Sequence, residues 1–235
     1  MIRWLFLLLS LALAGSPALA ASRSYTVIGF DRIRVDGPFD VTVRAGLSPS
    51  ASATGSTDAL DRISIAVQNS TLIIRPDNSA WGGYPGAPTG KVEVAVTATN
   101  LSSAVLAGSG RLSIDRVRGD ALDLGLGGAG MLSVGLIDVG KLSVMLAGAG
   151  NASLTGHADD GRLIVRGAGN IAADGLTIRH AEIVSAGAGT ITVTATETAK
   201  VTAAGNGDVT VRGKAECTVN ATGTGNVSCG TPAPR

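Results

Sequence analysis

The chain has 235 residues with 19 basic and 18 acidic side chains. Glycine accounts for 33 of them, about twice the usual ~7%, while aromatic residues make up only 3% and charged residues 16%. This glycine content disfavours a helical protein, since each interior glycine costs a helix ~1 kcal/mol against alanine. A hydrophobic share of 45% disfavours disorder, and the glycines lack the every-third-residue spacing of collagen.

Residues 1–20 read as a secretory signal peptide. Arg3 supplies a basic start and Leu5 to Ala14 an apolar run. Gly15 and Pro17 break that run, and Ala18-Leu19-Ala20 offers a small-x-small cleavage site. The run is too short to span ~30 Å of hydrocarbon, and no later stretch reaches that length, so no transmembrane segment is expected in the mature chain. Cleavage removes one charged residue, Arg3, and leaves 18 basic against 18 acidic groups. That balance does not point to nucleic acid, whose partners carry a basic face. Export also places Cys217 and Cys229 in an oxidising compartment.

Residues 25–100 read as irregular N-terminal coils. Phe30 to Val35, Phe39 to Val43 and Ile63 to Val67 alternate in polarity, and Thr71 to Arg75 is β-rich. Asp77 to Gly90, with Trp81, Tyr84, Pro85 and Pro88, reads as a surface loop. Alternation resumes at Lys91.

Residues 101–230 carry the strongest signal. A Gly-x-Gly triplet recurs at Gly108/Gly110, Gly128/Gly130, Gly148/Gly150, Gly167/Gly169, Gly187/Gly189, Gly205/Gly207 and Gly223/Gly225. Successive first glycines are 20, 20, 19, 20, 18 and 18 residues apart. A period near 20 marks a solenoid. Count from the first glycine of each triplet. Positions +4 and +6, and positions −4 and −2, are apolar or small: Leu112 and Ile114, for instance, with Leu124 and Leu126 one coil on. Positions +3 and +5 are mostly Ser, Thr or Asn. This period of two predicts strands with one inward face, stacked ~4.8 Å apart in register. An all-β solenoid with coils of 18–20 residues is therefore expected, with both triplet glycines at inward corners. A meander sandwich gives no reason for identical triplets at fixed spacing.

Cys217 and Cys229 occupy offsets −6 and +6 around the last triplet, so a disulfide is expected to lock the C-terminal coil. Residues 231–235 read as a loose tail.

The stretch Phe30-Asp31-Arg32-Ile33-Arg34-Val35-Asp36-Gly37-Pro38-Phe39-Asp40-Val41 resembles the opening of the bacterial head GIN domain family, described as autotransporter adhesin heads. The Gly-Ala-Gly-Asn steps at 148–151 and 167–170, and Gly223-Thr224-Gly225-Asn226, are similar to its repeats. The resemblance spans about Tyr25 to Gly230, a single domain over 21–230. It implies a right-handed parallel β-helix in an exported bacterial protein, and brings no catalytic motif.

Candidate sites are sparse. Offset −3 holds Val105, Gly125, Met145, Ile164 and Val184, an apolar stripe on an outward position. It reads either as an oligomer or partner interface or as a surface covered by the Trp81 loop. Trp81 and Tyr84 are candidate ligand contacts, weighed against packing on a coil edge. Asp123, Arg162, Glu182 and Lys200 share offset −5 and read as a mixed-charge ladder. His157 and His180 read as solvated turn residues. Gly205 to Val211 has one half of a calcium-roll repeat without the stacked ligands, so neither a metal nor a cofactor is expected. The reading is a non-enzymatic protein at the bacterial envelope, in the periplasm or at the cell surface, that binds protein or glycan and is a candidate homo-oligomer. The alternatives are a periplasmic self-association scaffold and a carbohydrate-active enzyme.

Overall fold

The computed structural model describes residues 21–77 and 91–231. The signal-peptide reading, Trp81, Tyr84 and residues 232–235 lie outside the described residues. In chain order the elements are β1 (Ala21–Tyr25), β2 (Arg32–Asp36), β3 (Asp40–Ala45), β4 (Ser50–Gly55), α1 (Thr57–Leu60), β5 (Ile63–Gln68), β6 (Thr71–Pro76), β7 (Glu93–Ala98) and β8 (Ser103–Gly108). The repeats follow as β9 (Arg111–Gly128), β10 (Met131–Gly148), β11 (Asn151–Gly167), β12 (Asn170–Gly187) and β13 (Ile191–Ala203). The chain ends in β14 (Val209–Gly213), β15 (Glu216–Ala221) and β16 (Val227–Thr231).

From β8 onward the neighbours are parallel, and each long strand bends around its coil. Identical repeat positions fall in register. Leu112, Leu132, Ala152, Ile171, Ile191, Val209 and Val227 form one continuous column. Leu124, Val144, Leu163, Ile183 and Val201 form another on the opposite wall. Except for half-buried Val227 in the last coil, these side chains are buried. The fold is a parallel β-solenoid whose thin core is built from small aliphatic side chains.

Two features differ from the simple two-wall coil. First, the inward phase changes once more between the walls. Val117, Ile137 and Leu176 sit nine residues after the first glycine, at an odd offset, and are buried. Register slips near Val134/Ile137, Ser153/Thr155 and Ala173/Thr177 mark this second bend. The turn lies within each strand, since Val117 and Ile137 are both inward and pair with each other without any slip between β9 and β10.

Second, the expectation that both triplet glycines are inward corners needs correction, because the first glycine is not buried in any triplet. Gly108, Gly128, Gly148 and Gly167 have positive φ, +99° at Gly128 and +126° at Gly148, and make a bend that a residue with Cβ resists. The first glycine also lies close to the coil before it: a Cβ at Gly128 would sit 2.7 Å from the Gly108 carbonyl oxygen, and one at Gly187 would run into that of Gly167. The second glycine is not the bend. Gly110, Gly130, Gly150, Gly169, Gly189 and Gly207 are all buried, none with positive φ, and only Gly225 in the last coil is half-buried. These residues let one coil's backbone lie directly against the next. A Cβ at Gly150 would sit 2.6 Å from the Gly130 carbonyl oxygen. At Gly110, Gly189 and Gly207 it would run into the carbonyl oxygens of Phe39, Gly169 and Gly189 respectively. The reason for glycine there is contact between coils.

The N-terminal segment, read from the sequence as irregular coils over 25–100, is built out of chain order. β2 pairs with β6 on one side and β8 on the other, and β3 lies between β7 and β9. The coil made by β6 and β7 therefore stacks outside the earlier coil of β2 and β3. Beyond it the strands are antiparallel: β4 on β7, β1 on β4, and β5 on β6. β5 and β6 are a hairpin turning at Asn69 and Ser70, with φ of +47° and +60°, a two-residue turn of the type that favours Asn. α1 starts at Ser56, whose Oγ accepts from the Ala59 N–H, and buries Ala59 and Leu60 against this end. The antiparallel strands thus close one end of the stack, the usual need of a terminal repeat.

At the other end β15 pairs with β13 and β16 with β14. Cys217 and Cys229, 12 residues apart, are joined by a disulfide with Cα atoms 6.5 Å apart. Cys217 is aligned with Ala199 and Cys229 with Val211. The bond therefore ties the two walls of the last coil together.

Candidate interaction face

One outward face gathers most of the residues singled out from the sequence. It is formed by β8, the C-terminal halves of β9 to β12, the end of β13, and β15. Val105, Gly125, Met145, Ile164 and Val184 stand in register on adjacent strands. They point away from the core, with Met145 45% exposed and Val105, Ile164 and Val184 half-buried. Each rung shades its neighbours, so a β-branched side chain in such a column is only partly wet. Thr202 continues the column on β13 and Arg34 precedes it on β2. Arg34 is held by Asp36 through hydrogen bonds of 3.0 and 2.9 Å, which raise its already high pKa.

Beside the stripe runs a groove of about 620 Å³ that crosses five strands. Its floor is Leu142, Gly161 and Ala181, and its rims carry Asp123, Lys141, Asp160, Arg162, His180, Glu182 and Lys200. The concavity has a cause in side-chain size. Leu122 and Leu142 fill their inward position in early coils, but Gly161, Ala181 and Ala199 follow in the same column. At Gly161 the space is taken instead by Ile178 of the next coil. The signal for this shrinking column stands at offset −6 of the repeat, and that for Lys141 and Asp160 at offset −7.

The offset −5 ladder is in register as Asp123, Ser143, Arg162, Glu182 and Lys200. Arg162 and Glu182 form an ion pair at 2.9 Å. Asp123, Lys141, Asp160 and Lys200 have no ion-pair partner within 4.0 Å among the described residues. At the groove's edge, Arg179 bridges Asp159 at 3.4 Å and Glu197 at 2.8 Å. The hydrogen bond from Arg179 holds the exposed Glu197 carboxyl below its ordinary pKa.

The histidines lie in strands, not in turns. His157 is in β11, with Nε2 3.6 Å from Asp159. His180 is in β12, with Nδ1 3.1 Å from Thr198 Oγ1 and Nε2 3.5 Å from Glu197. They occupy different columns, aligned with Thr177 and Asp160 respectively, so the fold does not join them in one site.

The opposite outward face pairs several of its polar groups rung to rung, although Asp40, Glu93 and Arg111, aligned where it begins, have no ion-pair partner among the described residues. Ser133 Oγ donates to Ser113 Oγ at 3.2 Å, and Asn170 Nδ2 to Asn151 Oδ1 at 3.0 Å. The Asn170 Oδ1 in turn accepts from the Thr190 N–H at 2.9 Å. Near the last triplet Asp208 Oδ1 accepts from the Asn226 N–H at 2.8 Å. The carboxylate that resembled a calcium-roll ligand is thus a rung-to-rung bond.

Solved structures share this architecture. A "putative adhesin" from Bacteroides fragilis NCTC 9343 superposes with a TM-score of 0.81 at 24% identity, over 90% of this chain and 97% of its own. A "putative lipid binding protein" from Parabacteroides distasonis ATCC 8503 gives 0.70 at 23% identity, over 90% and 97%. A "putative adhesin" from Parabacteroides merdae ATCC 43184 gives 0.65 at 18%, over 92% and 96%. At these identities the likeness is one of fold. No curated protein matches the chain. The family model described as "Putative auto-transporter adhesin, head GIN domain" matches residues 29–215, and the chain belongs to that family.

Proposed function

We propose that this protein is an exported, non-enzymatic binding module of the bacterial cell envelope, and that it engages protein or glycan through the face carrying the groove and the apolar stripe. The observation that carries the reading is the groove itself: a concavity of about 620 Å³ crossing five strands, with four rim charges that have no ion-pair partner among the described residues. Beside it runs the outward column Val105, Met145, Ile164 and Val184, of which Met145 is exposed and the others half-buried. A contiguous apolar column on an outward face is a feature of contact surfaces. The family description as an adhesin head supports a binding role over a catalytic one. The Cys217–Cys229 bond supports export, because such bonds persist in oxidising compartments.

The test is capture from envelope extract with the wild-type chain and with the double variant Met145→Asp/Ile164→Asp. Partner recovery by the wild type and its loss in the variant is the expected result. Equal recovery by both removes this face from the function. Surface labelling of intact cells separates a surface-exposed protein from a periplasmic one. The apolar stripe also favours a second reading, a self-association scaffold. Light scattering decides it: a wild-type oligomer that falls to a monomer in the double variant supports the scaffold, and a monomer in both removes it.

A further inference from the structure

Resting on that reading of the face, we infer that the groove takes a zwitterionic glycan, a polysaccharide whose chain carries both amine and carboxylate groups, lying along the solenoid axis. The argument begins with charge. The rims hold three carboxylates, Asp123, Asp160 and Glu182, and three cations, Lys141, Arg162 and Lys200. Signs mix along the groove and do not segregate to one end. Lys141 and Asp160 are directly aligned on adjacent strands, as are Glu182 and Lys200. Such neighbours readily pair, yet only Arg162 and Glu182 do so. Two anions and two cations are therefore left free to meet a ligand. A polymer of a single sign would gain from half of these groups and be repelled by the rest.

Geometry favours a glycan over a peptide. The strands flooring the groove are hydrogen-bonded to neighbours on both sides, so no free edge is available for strand addition. Recognition falls to side chains, repeated every ~4.8 Å from rung to rung. An extended peptide advances ~3.3 Å per residue and drifts out of step with the rungs. A sugar ring in an extended, equatorially linked chain is close to one rung in length. From Asp123 to Lys200 the groove covers four rung steps, about 19 Å, room for a short oligosaccharide.

The probes are oligosaccharides of N-deacetylated hyaluronan, in which β-linked glucuronate alternates with β-linked free glucosamine. Native N-acetylated hyaluronan is the anionic control and chitosan oligomers are the cationic one. Titration calorimetry is run on the wild type, on Lys141→Ala/Lys200→Ala and on Asp123→Ala/Asp160→Ala. None of these four residues has an ion pair to lose, and circular dichroism confirms folding. The expected result is binding of the zwitterion with weaker binding of both controls. Each double variant should lose about tenfold or more in affinity, the worth of a charge-assisted hydrogen bond, and added salt should weaken the complex. Equal or tighter binding of either control overturns the zwitterionic assignment, as does wild-type affinity in either variant. Binding of none of the three polymers overturns the glycan assignment. The envelope capture and its Met145→Asp/Ile164→Asp variant still stand or fall separately, so failure here is distinguishable from failure of the binding role.

Discussion

Replacing Gly150 by alanine tests whether the triplets act through contact between coils. A Cβ there would lie 2.6 Å from the Gly130 carbonyl oxygen and 2.9 Å from Leu126 Cδ2. The carbonyl cannot simply move aside, because it accepts a 3.0 Å hydrogen bond from the Asn151 N–H. Overpacking of this kind costs ~1–3 kcal/mol, and loosening the rung bond adds ~1 kcal/mol. The smaller entropy of alanine in the unfolded chain returns ~0.4–1 kcal/mol. The net loss is about 2 kcal/mol, which for a chain of this size lowers Tm by roughly 4–8 °C. Gly127→Ala is the matched control. It stands one position before a triplet on the outward side, where a Cβ would meet only the Leu106 carbonyl oxygen at 3.9 Å. Its expected change is neutral to about 1 kcal/mol stabilising. Thermal unfolding compares the two, and amide exchange at Asn151 locates the damage. If Gly150→Ala melts at or above Gly127→Ala, close coil contact is not why glycine stands there.

Three further outcomes follow from the same geometry. Reducing the Cys217–Cys229 bond should cost about 3 kcal/mol; amide exchange should rise in β15 and β16 and stay unchanged in β9 to β11, because energy in stacked repeats is local. Ser185, 1% exposed, has a buried Oγ with no hydrogen-bond partner among the described residues, so Ser185→Ala should stabilise by about 1 kcal/mol, read as a higher melting temperature. The Glu197 carboxyl, lowered by Arg179, should titrate below an ordinary glutamate by NMR and return to the ordinary range in Arg179→Met. Because the folded value is the lower one, any stability from this pair is present above the unfolded pKa. It is lost as pH falls through the folded value.

The repeat was legible because each triplet marks the same bend with the same residues, and a fixed mark makes neighbouring offsets comparable. The inward columns at Leu112, Leu124 and their successors, the register and the Cys217–Cys229 pairing all follow from that ruler. That the second glycine of each triplet but the last is buried while the first is not was not legible, since two identical residues give no hint of which faces the core. The second bend has no such mark. Asp115-Arg116, Gly135-Leu136 and Asp174-Gly175 have no residue common to all three coils, so Val117, Ile137 and Leu176 look out of phase until the turn is seen. The β5–β6 hairpin did carry a local signal in Asn69-Ser70, set between two apolar runs. The exchange of order between the β2–β3 and β6–β7 coils carried none, since parallel pairing of distant segments leaves no trace in local alternation. The groove required reading side-chain volume down a column and not polarity along a strand.

That exchange of order divides the molecule into two kinds of architecture. The β2–β3 coil is complete only once β6, β7, β8 and β9 have come back to cover it on both sides, so nearly the first half of the chain, through Ile114 in β9, assembles as one interlocked unit. Beyond β9 each coil rests on the one before it and nothing returns to cover it out of turn. Coils can therefore be gained or lost by duplication or deletion downstream without disturbing the closed end. The length of the interaction face then becomes a variable that evolution or an engineer can set in steps of one coil.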